Sequence, residues 1–167
     1  MSSSSKNLSV SEGQPVPNAG PYRFGIVCAE WNSEVTGKLL EGAVETLTRA
    51  GASKTCISVQ HVPGSFELTL GARYLAAEGR VDAIICLGCV IQGETRHFDF
   101  ICNAVANGLT QLNIEYGIPV IFGVLTPENQ QQALDRAGGK HGNKGDEAAM
   151  TAVKMLALRD RIRDEKS

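Results

Sequence analysis

The sequence predicts an α/β protein, a three-layer αβα sandwich around a four-stranded, mainly parallel sheet. Four apolar, strand-like segments alternate along the chain with segments whose apolar residues recur at helical spacing. Strands and helices in alternation imply right-handed parallel crossovers, which place helices on both faces of the sheet. A length of 167 residues suits one domain with a proper core and leaves little room for a second.

Residues 1–21 differ in composition from the rest of the chain. They are rich in Ser, Pro, Asn and Gly, which predicts a flexible N-terminal arm followed by a single domain over 22–167. The first ten residues lack the apolar block of a secretory signal, so we expect a cytoplasmic protein. Their serine-rich, acid-poor composition resembles that of transit peptides, but they contain almost no arginine, which such peptides are rich in. A plastid location is expected if the source is a plant or an alga.

Four segments have the composition of strands. Residues 24–29 form a short apolar run, typical of a strand covered on both faces. Residues 55–62 are rich in β-branched side chains, and residues 81–91 are the most apolar run of the chain. Residues 118–125 form the fourth predicted strand.

Helices are predicted between these strands. The first begins after Asn32, which suits a helix cap, and ends at Gly51. The second follows the Pro63-Gly64 turn, and the third begins near Thr95 and ends at Gly117. Their expected apolar faces are, in chain order, Val35, Leu39, Ala43 and Leu47; Phe66, Leu70, Tyr74 and Ala77; and Phe98, Ile101, Cys102, Val105, Leu109 and Leu112.

A short helix and a long one complete the predicted fold. The short helix begins at Pro127, which suits a first helical position. The glycine-rich segment 138–145 is expected to be a loop, and the last helix follows it. The apolar face of that helix comprises Ala148, Ala152, Met155, Leu156 and Ile162.

Composition argues against two classes of partner. A net charge of −2 with mixed signs provides no basic surface, so we expect no nucleic-acid partner. No apolar stretch approaches the roughly 18 residues that span a bilayer, so we expect no membrane association.

The five cysteines are expected to be buried, free thiols. Their odd number and their placement in apolar runs favour packing as small hydrophobic side chains. The spacing of Cys86 and Cys89 also suits a redox pair, which is the second interpretation, although such a pair normally opens a helix. A zinc site would need further ligands at suitable spacing, so no metal site is predicted.

Chemistry is predicted at the carboxyl ends of the strands, where ligands bind in sheets of this kind. The segment 88–99 is the richest, because Gly93 allows a tight turn before a helix whose free N–H groups suit a phosphate. His97 falls in the first turn of that helix, whose dipole favours a neutral imidazole able to accept a proton. The nearby carboxylate of Asp99 instead favours the protonated imidazolium. The alternative is that His97 only caps or packs the helix start.

Two further sets of residues follow strand ends. Arg136 can make a forked contact with a phosphate and Lys144 can add a point charge, or both are solvated surface charges. Trp31 can stack on a planar heterocycle while Glu67 binds polar edges; alternatively, Trp31 is a rim residue and Phe66 a core anchor. The residues alone therefore predict chemistry on a phosphorylated small molecule and do not name the reaction.

Several motifs in register resemble the lumazine synthase family over residues 22–158. The motifs are Glu30-Trp31-Asn32, Val62-Pro63-Gly64-Ser65-Phe66-Glu67, the continuous stretch from Leu87-Gly88 through Gly93-Glu94-Thr95-Arg96-His97-Phe98, Pro119-Val120-Ile121-Phe122-Gly123-Val124-Leu125-Thr126 and Arg136-Ala137-Gly138-Gly139-Lys140-His141-Gly142-Asn143-Lys144-Gly145. Several motifs in the order and spacing of the family indicate it far more specifically than any single motif does.

The resemblance implies a flavodoxin-like fold and a transferase of riboflavin biosynthesis. The family condenses 5-amino-6-(D-ribitylamino)uracil with 3,4-dihydroxy-2-butanone 4-phosphate to give 6,7-dimethyl-8-ribityllumazine, phosphate and water. It uses no metal or organic cofactor. A non-catalytic flavin- or lumazine-binding protein on the same fold is the alternative, against which the retained His97 argues. A response-regulator receiver also shares the architecture, but the acidic pair and the phosphorylated Asp of that class are missing after the first and third strands.

The resemblance also implies a role for each matching residue. His97 would shuttle protons, and Trp31 would stack on the pyrimidine. Phe122 would come from the neighbouring subunit. The substrate-binding set would comprise Trp31, Ser65, Phe66, Glu67, Cys89, Val90, Ile91, Phe122 and Lys144, and the phosphate-binding set Glu94, Thr95 and Arg136.

Three positions depart from the family pattern. Gln92 stands where many members have a basic residue, which weakens the local positive field. Glu94 puts a carboxylate beside the expected phosphate, so binding there must use backbone N–H groups. Trp31 replaces the commoner phenylalanine and keeps the stacking surface.

The resemblance implies a homo-oligomer with its sites between the subunits of a pentamer. The uninterrupted segment 138–145 is similar to the family form found in hollow icosahedral capsids of sixty subunits, so both a single pentamer and a capsid are expected forms. The two small-molecule substrates and riboflavin synthase are the other expected partners.

Overall fold

The computed structural model describes residues 15–166 and contains one sheet of four parallel strands. The strands are β1 (Phe24–Ala29), β2 (Ile57–Val62), β3 (Ala83–Cys89) and β4 (Val120–Leu125). Their spatial order is β2-β1-β3-β4, and the predicted four-stranded parallel sheet is confirmed. Because all four strands run in one direction, their carboxyl ends meet at the same edge of the sheet.

Five α-helices lie within the described residues, and four of them cover the sheet. The helices are α1 (Ser33–Arg49), α2 (Leu68–Glu78), α3 (His97–Tyr116), α4 (Gln130–Asp135) and α5 (Lys144–Asp164). α1 and α5 pack on one face of the sheet, and α2 and α3 pack on the other. The sheet is therefore the middle of three layers, as predicted.

The two central strands are covered on both faces, which explains their continuous apolar sequence. Every residue of β1 and β3 is buried. Alternate side chains point to opposite layers: Ile26 and Ile85 pack with α1 and α5, whereas Val27 and Ile84 pack with α2 and α3.

The predicted N-terminal arm falls partly within the described residues. Residues 1–14 lie outside them, so the prediction is not tested there. Residues 15–21 form neither helix nor strand, but Ala19 is fully buried and its N–H donates to the carbonyl of Ala50 at 2.8 Å. Packing of the domain therefore starts a few residues before 22, where the sequence placed its beginning.

Most element boundaries lie within two residues of their predicted places. β2 begins at Ile57 rather than 55, because one 3-10 turn precedes it. α4 begins at Gln130 and not at Pro127, so that prediction is wrong. The physical reason is the side chain of Asn129, whose Oδ1 accepts the N–H of Gln132 at 2.9 Å and caps the helix.

The glycine-rich segment 138–145 is not the open loop that its composition predicts. Two short strands, β5 (Ala137–Gly139) and β6 (Gly142–Asn143), pair there as an antiparallel hairpin. The side chain of Asn143 then accepts the N–H of Gly145 at 2.7 Å and caps α5. The hairpin thus leads directly into the last helix.

The apolar face predicted for α2 is exposed in the single chain. Leu70, Tyr74 and Ala77 point to solvent. The face towards the sheet contains Leu68 and two alanines, Ala72 and Ala76. Small side chains on this face let the helix lie close to the sheet, so its larger apolar residues project outward.

The apolar faces predicted for α3 and α5 are confirmed in part. Their buried members are Val105, Leu109, Leu112, Ala148, Ala152 and Leu156. Phe98, Ile101 and Cys102 are half-buried, and Met155 and Ile162 are exposed. Met155 is exposed because it lies about 100° around the helix from the buried Leu156.

The packing of α5 on α1 leaves no room for a side chain at Gly145. A β-carbon there would lie 1.9 Å from the carbonyl oxygen of Leu39, and a helix backbone cannot move aside as a flexible side chain can. We predict that Gly145→Ala lowers the free energy of unfolding by about 2–3 kcal/mol, measured by urea denaturation at fixed protein concentration.

The matched control is Gly37→Ala in α1, where a β-carbon meets nothing within 4 Å. It should raise the free energy of unfolding by about 0.5–1 kcal/mol, because alanine suits a helix interior better than glycine. Equal stability of the two variants would contradict the close contact between α1 and α5.

Candidate active site

Hydrogen bonds join the loops at the carboxyl edge of the sheet. The N–H of Trp31, after β1, donates to the carbonyl of Pro63, after β2, at 3.0 Å. The N–H of Val90, after β3, donates to the carbonyl of Leu125, at the end of β4, at 2.8 Å. The side chain of Asn32 links the first of these loops to the third. We call this connected edge, formed by residues 30–32, 63–67, 89–97 and 125–127, the rim.

Trp31 forms an open platform on the rim. The residue is 68% exposed. Its indole lies against the backbone of Gly64, where a β-carbon would be 2.5 Å from the ring. The turn that carries this glycine is fixed by Glu67, whose Oε2 accepts the N–H of Gly64 at 3.1 Å. A ring that is supported by backbone yet open to solvent suits stacking on a planar heterocycle.

Ser65 presents a buried hydroxyl with no partner among the described residues. An unsatisfied buried hydroxyl is unfavourable in the free protein, so it is typical of a group that awaits a ligand. A β-carbon on Gly88 would lie 2.5 Å from this oxygen, so β3 must carry a glycine here. The neighbouring Phe66 is 56% exposed, so the alternative that it anchors the core is wrong.

β3 carries Cys89, Val90 and Ile91 into the rim. Cys89 is buried, and the other two are half-buried. Burial raises the pKa of the Cys89 thiol to about 11, so this side chain is neutral near pH 7. Cys86, deeper in the same strand, is also buried, and its pKa lies well above the ordinary value of a thiol for the same reason. All five cysteines are free thiols, as predicted, but Cys56 and Cys102 are half-buried, so the prediction of burial is wrong for these two.

His97 is the first residue of α3 and is exposed. Its backbone N–H donates to Oγ1 of Thr95 at 3.4 Å, and Arg96, at the cap position, makes no side-chain capping bond. Glu94 and Thr95 are exposed in the turn before the helix. The imidazole thus stands in the solvent at the start of a helix, and the alternative that it is a packed residue does not agree with its exposure.

Arg136 and Lys144 converge on one carboxylate. Nη2 of Arg136 lies 2.6 Å from Oε1 of Glu147, and Nζ of Lys144 lies 3.3 Å from Oε2. A further nitrogen of Arg136 donates to the carbonyl of His141. The Arg136 and Lys144 side chains are only 18% and 31% exposed. The alternative of solvated surface charges is therefore wrong.

Phe122 lies away from the rim of its own chain. It lies midway along the edge strand β4, where it pairs with Cys86, and packs on the side of α2 and α3. It lies three positions before Leu125, so it is roughly 10 Å from the carboxyl edge. The structure therefore does not bring Phe122 together with the other predicted site residues of the same chain.

Sequence reasoning missed two residues of this region. Asn32 occupies the cap position of α1, as predicted, but its side chain makes no capping bond and instead donates to the carbonyl of Cys89 at 2.9 Å. No sequence pattern could supply a partner 57 positions away. Glu147 could have been found, because its spacing of three from Lys144 on a predicted helix is that of an ion pair.

The fold and the rim together define a doubly wound α/β protein with a small-molecule site at the carboxyl edge of its sheet. Among residues 15–166, no three His, Cys, Asp or Glu side chains are grouped so that they could hold a metal ion. In the same part of the chain, every helix is too short or too polar to cross a bilayer.

Comparisons with known proteins name a family within this class. The model of the 6,7-dimethyl-8-ribityllumazine synthase family matches residues 21–160. The 6,7-dimethyl-8-ribityllumazine synthase of Cytophaga hutchinsonii is 64% identical over 157 residues, which are 94% of this chain and 98% of that protein. The enzyme of the same name from Phocaeicola vulgatus is 52% identical, over 97% of this chain and 96% of that protein. The one from Parabacteroides distasonis is 53% identical, over 93% of this chain and 98% of that protein. The chain belongs to the 6,7-dimethyl-8-ribityllumazine synthase family, and the resemblance is confirmed.

The raised pKa of Cys89 leads to a prediction about thiol reactivity. At pH 8 a thiol with a pKa of about 11 is ionised in only about one molecule in a thousand, and the thiolate is the reactive form. We predict that iodoacetamide leaves Cys86 and Cys89 unmodified in the folded protein, whereas the half-buried Cys56 reacts. Peptide mass spectrometry is the measurement.

Alkylation in urea, where all five thiols should react, is the control for reagent access. Rapid labelling of Cys89 in the folded protein, or a disulfide between Cys86 and Cys89 in non-reducing buffer, would favour the redox interpretation instead.

Proposed function

We propose that this protein condenses 5-amino-6-(D-ribitylamino)uracil with 3,4-dihydroxy-2-butanone 4-phosphate to 6,7-dimethyl-8-ribityllumazine, phosphate and water. It is then a transferase of riboflavin biosynthesis, as the names of its family and relatives indicate. The observation that carries the proposal is the rim. An exposed indole, a buried hydroxyl without a partner among residues 15–166 and an exposed imidazole at a helix start lie at one edge of the sheet.

The uracil is bound on the side of the rim formed by the first three loops. Its ring stacks on Trp31, and the backbone of 89–91 borders the ring edge. The ribityl chain carries several hydroxyls, which suit the unsatisfied Oγ of Ser65 and the carboxylate of Glu67. Phe66 adds an apolar surface beside them.

The phosphate of the second substrate is bound at the start of α3. The helix dipole and the backbone N–H groups of this turn favour an anion, and the side chain of Glu94 turns away from it. Thr95 adds a hydroxyl. Arg136 supplies a forked donor and Lys144 a second positive charge, both held by Glu147 until the anion arrives.

His97 moves the protons that the condensation requires. Imine formation, phosphate loss and ring closure each transfer protons, and a positioned imidazole can serve every one of them. Holding both substrates on one rim converts their encounter into an internal reaction, which supplies a large part of the acceleration. This chemistry requires neither a metal ion nor an organic cofactor.

The site is completed by a second subunit. Phe122 lies roughly 10 Å from the rim of its own chain, so it reaches a site only if it belongs to a neighbouring one. Exposed apolar side chains on α2 and α3, Leu70, Tyr74, Phe100 and Ile114, offer the surface for such an association. The proposed assembly is a pentamer, alone or in a capsid of pentamers with riboflavin synthase as a partner, in the cytoplasm.

Sedimentation velocity of the purified protein tests the assembly, since monomer, pentamer and capsid differ widely in sedimentation coefficient. A monomer that is fully active would contradict the shared site.

Turnover by the wild-type protein tests the reaction itself. Purified protein is mixed with both substrates, and the fluorescence of the lumazine product is followed against a blank without protein. Formation of lumazine with release of one phosphate per product supports the proposal. Binding of the uracil without turnover would instead identify the non-catalytic alternative.

Replacement of the proposed proton carrier should affect the chemical step alone. We predict that His97→Ala lowers kcat by about 10²–10⁴-fold, the usual contribution of a general acid–base group. The side chain is exposed, so the melting temperature and the sedimentation coefficient should stay at wild-type values. A kcat equal to that of wild type would remove His97 from the mechanism.

Replacement of the proposed phosphate ligand should affect one substrate only. We predict that Arg136→Ala raises KM for the butanone phosphate by about 10- to 100-fold, the loss expected for a charge-assisted hydrogen bond, while KM for the uracil changes little. Steady-state kinetics with each substrate varied in turn is the measurement. Lys140→Ala is the control, because this exposed lysine pairs with Asp135 and not with Glu147. An equal effect on both KM values would contradict the assignment.

A further inference from the structure

Asn32 has a backbone conformation that asparagine tolerates and most other residues avoid. Its φ and ψ are 60° and 44°, in the left-handed region. Within residues 15–166 it is the one residue other than glycine with a positive φ. Asparagine adopts this region more readily than most residues with a side chain, and non-glycine residues found there concentrate at functional sites.

The side chain of Asn32 does not do what its position in the sequence predicts. At the cap position of a helix, an asparagine oxygen ordinarily accepts an N–H of the first turn. Here no such bond forms, and Nδ2 donates to the carbonyl of Cys89 at 2.9 Å. The first turn of α1 therefore has no side-chain cap, and the Asn32 side chain instead links the loop after β1 to the end of β3.

The link joins the two surfaces between which the uracil ring is proposed to bind. On one side is Trp31, next in the chain, whose N–H is held by Pro63 and whose indole lies against Gly64. On the other side is the backbone that runs from Cys89 to Ile91. The pairing of Cys89 with Leu125 and the bond from the Val90 N–H to Leu125 fix this segment to β4 and not to the indole.

We propose that Asn32 is a positioning residue that sets the separation between the Trp31 ring and the Cys89 backbone. It makes its contribution through these two neighbours and does not touch the reacting atoms. Loss of the link lets the indole and the ring-edge backbone move apart, which weakens binding of the heterocycle and leaves phosphate binding and proton transfer intact. The inference rests on the proposed function of the rim.

Trp31 gives a direct measurement of this effect, because it is the single tryptophan of the chain. Quenching of its fluorescence by 5-amino-6-(D-ribitylamino)uracil reports the dissociation constant of that substrate without any turnover. In the ligand-free protein, the time-resolved anisotropy of the same ring reports how firmly it is held.

Two variants separate the hydrogen bond from the backbone conformation. Asn32→Gly accepts the positive φ and removes the donor, whereas Asn32→Asp keeps the size of the side chain and places an acceptor against the Cys89 carbonyl. Glu41→Gln, on the exposed face of α1, is the control for a change between carboxylate and amide on the same helix.

In both Asn32 variants, the dissociation constant and KM of the uracil should rise by about tenfold, more in Asn32→Asp than in Asn32→Gly, as expected from a lost hydrogen bond. The value of kcat and KM for the butanone phosphate should stay within about twofold of wild type, and the anisotropy should show a less restrained indole. The control should match wild type in every measurement.

Wild-type affinity for the uracil in both Asn32 variants, with an active wild-type protein, would overturn this inference alone. Equal losses in kcat and in both KM values, together with a lower melting temperature, would assign Asn32 a purely structural role and would also overturn it. Absence of both quenching and turnover in the wild-type protein would overturn the proposed function, and this inference with it. If either variant fails to fold, the other still decides between these outcomes.

Discussion

The parallel pairing of β1 with both β2 and β3 is the constraint on which the site depends. Phe24 pairs with Ile57 on one side and with Ala83 on the other, so the three strands end at nearly the same height. Their carboxyl ends carry loops that are far apart in the sequence, and the register brings these loops within hydrogen-bonding distance. Without this alignment, neither the bond from Trp31 to Pro63 nor the bond from Asn32 to Cys89 could form.

The fold could be predicted because its determinants are local. Continuous apolar runs belong to strands that are buried on both faces, and Gly117 ends α3 where the sequence places its end. The direction of the apolar face of α2 could not be predicted, because periodicity shows that a face is apolar and not what covers it. Part of the site could be predicted in the same way, because Trp31 and His97 are exposed on the rim where the sequence places them. The hydrogen bond from Asn32 to Cys89 could not be predicted, because the two residues are far apart in the sequence.

The two halves of the proposed site are organised by different forces. The half for the heterocycle is held by backbone hydrogen bonds and by the contact of an indole with a glycine, which are short-range and fixed. The half for the phosphate includes ion pairs between Glu147 and two cations, which can exchange partners when an anion enters. Such a division suits a reaction in which one substrate must be oriented and the other must lose its phosphate.

In the proposed phosphate site, Glu147 also has a consequence for the release of inorganic phosphate. One carboxylate between Arg136 and Lys144 leaves this trio with a single net positive charge. Two unopposed cations would attract a phosphate dianion more strongly, and inorganic phosphate would then dissociate slowly and occupy the place of the next substrate. In the proposed reaction, the carboxylate lowers that attraction and so favours rapid release of inorganic phosphate over the tightest binding of the ketone substrate.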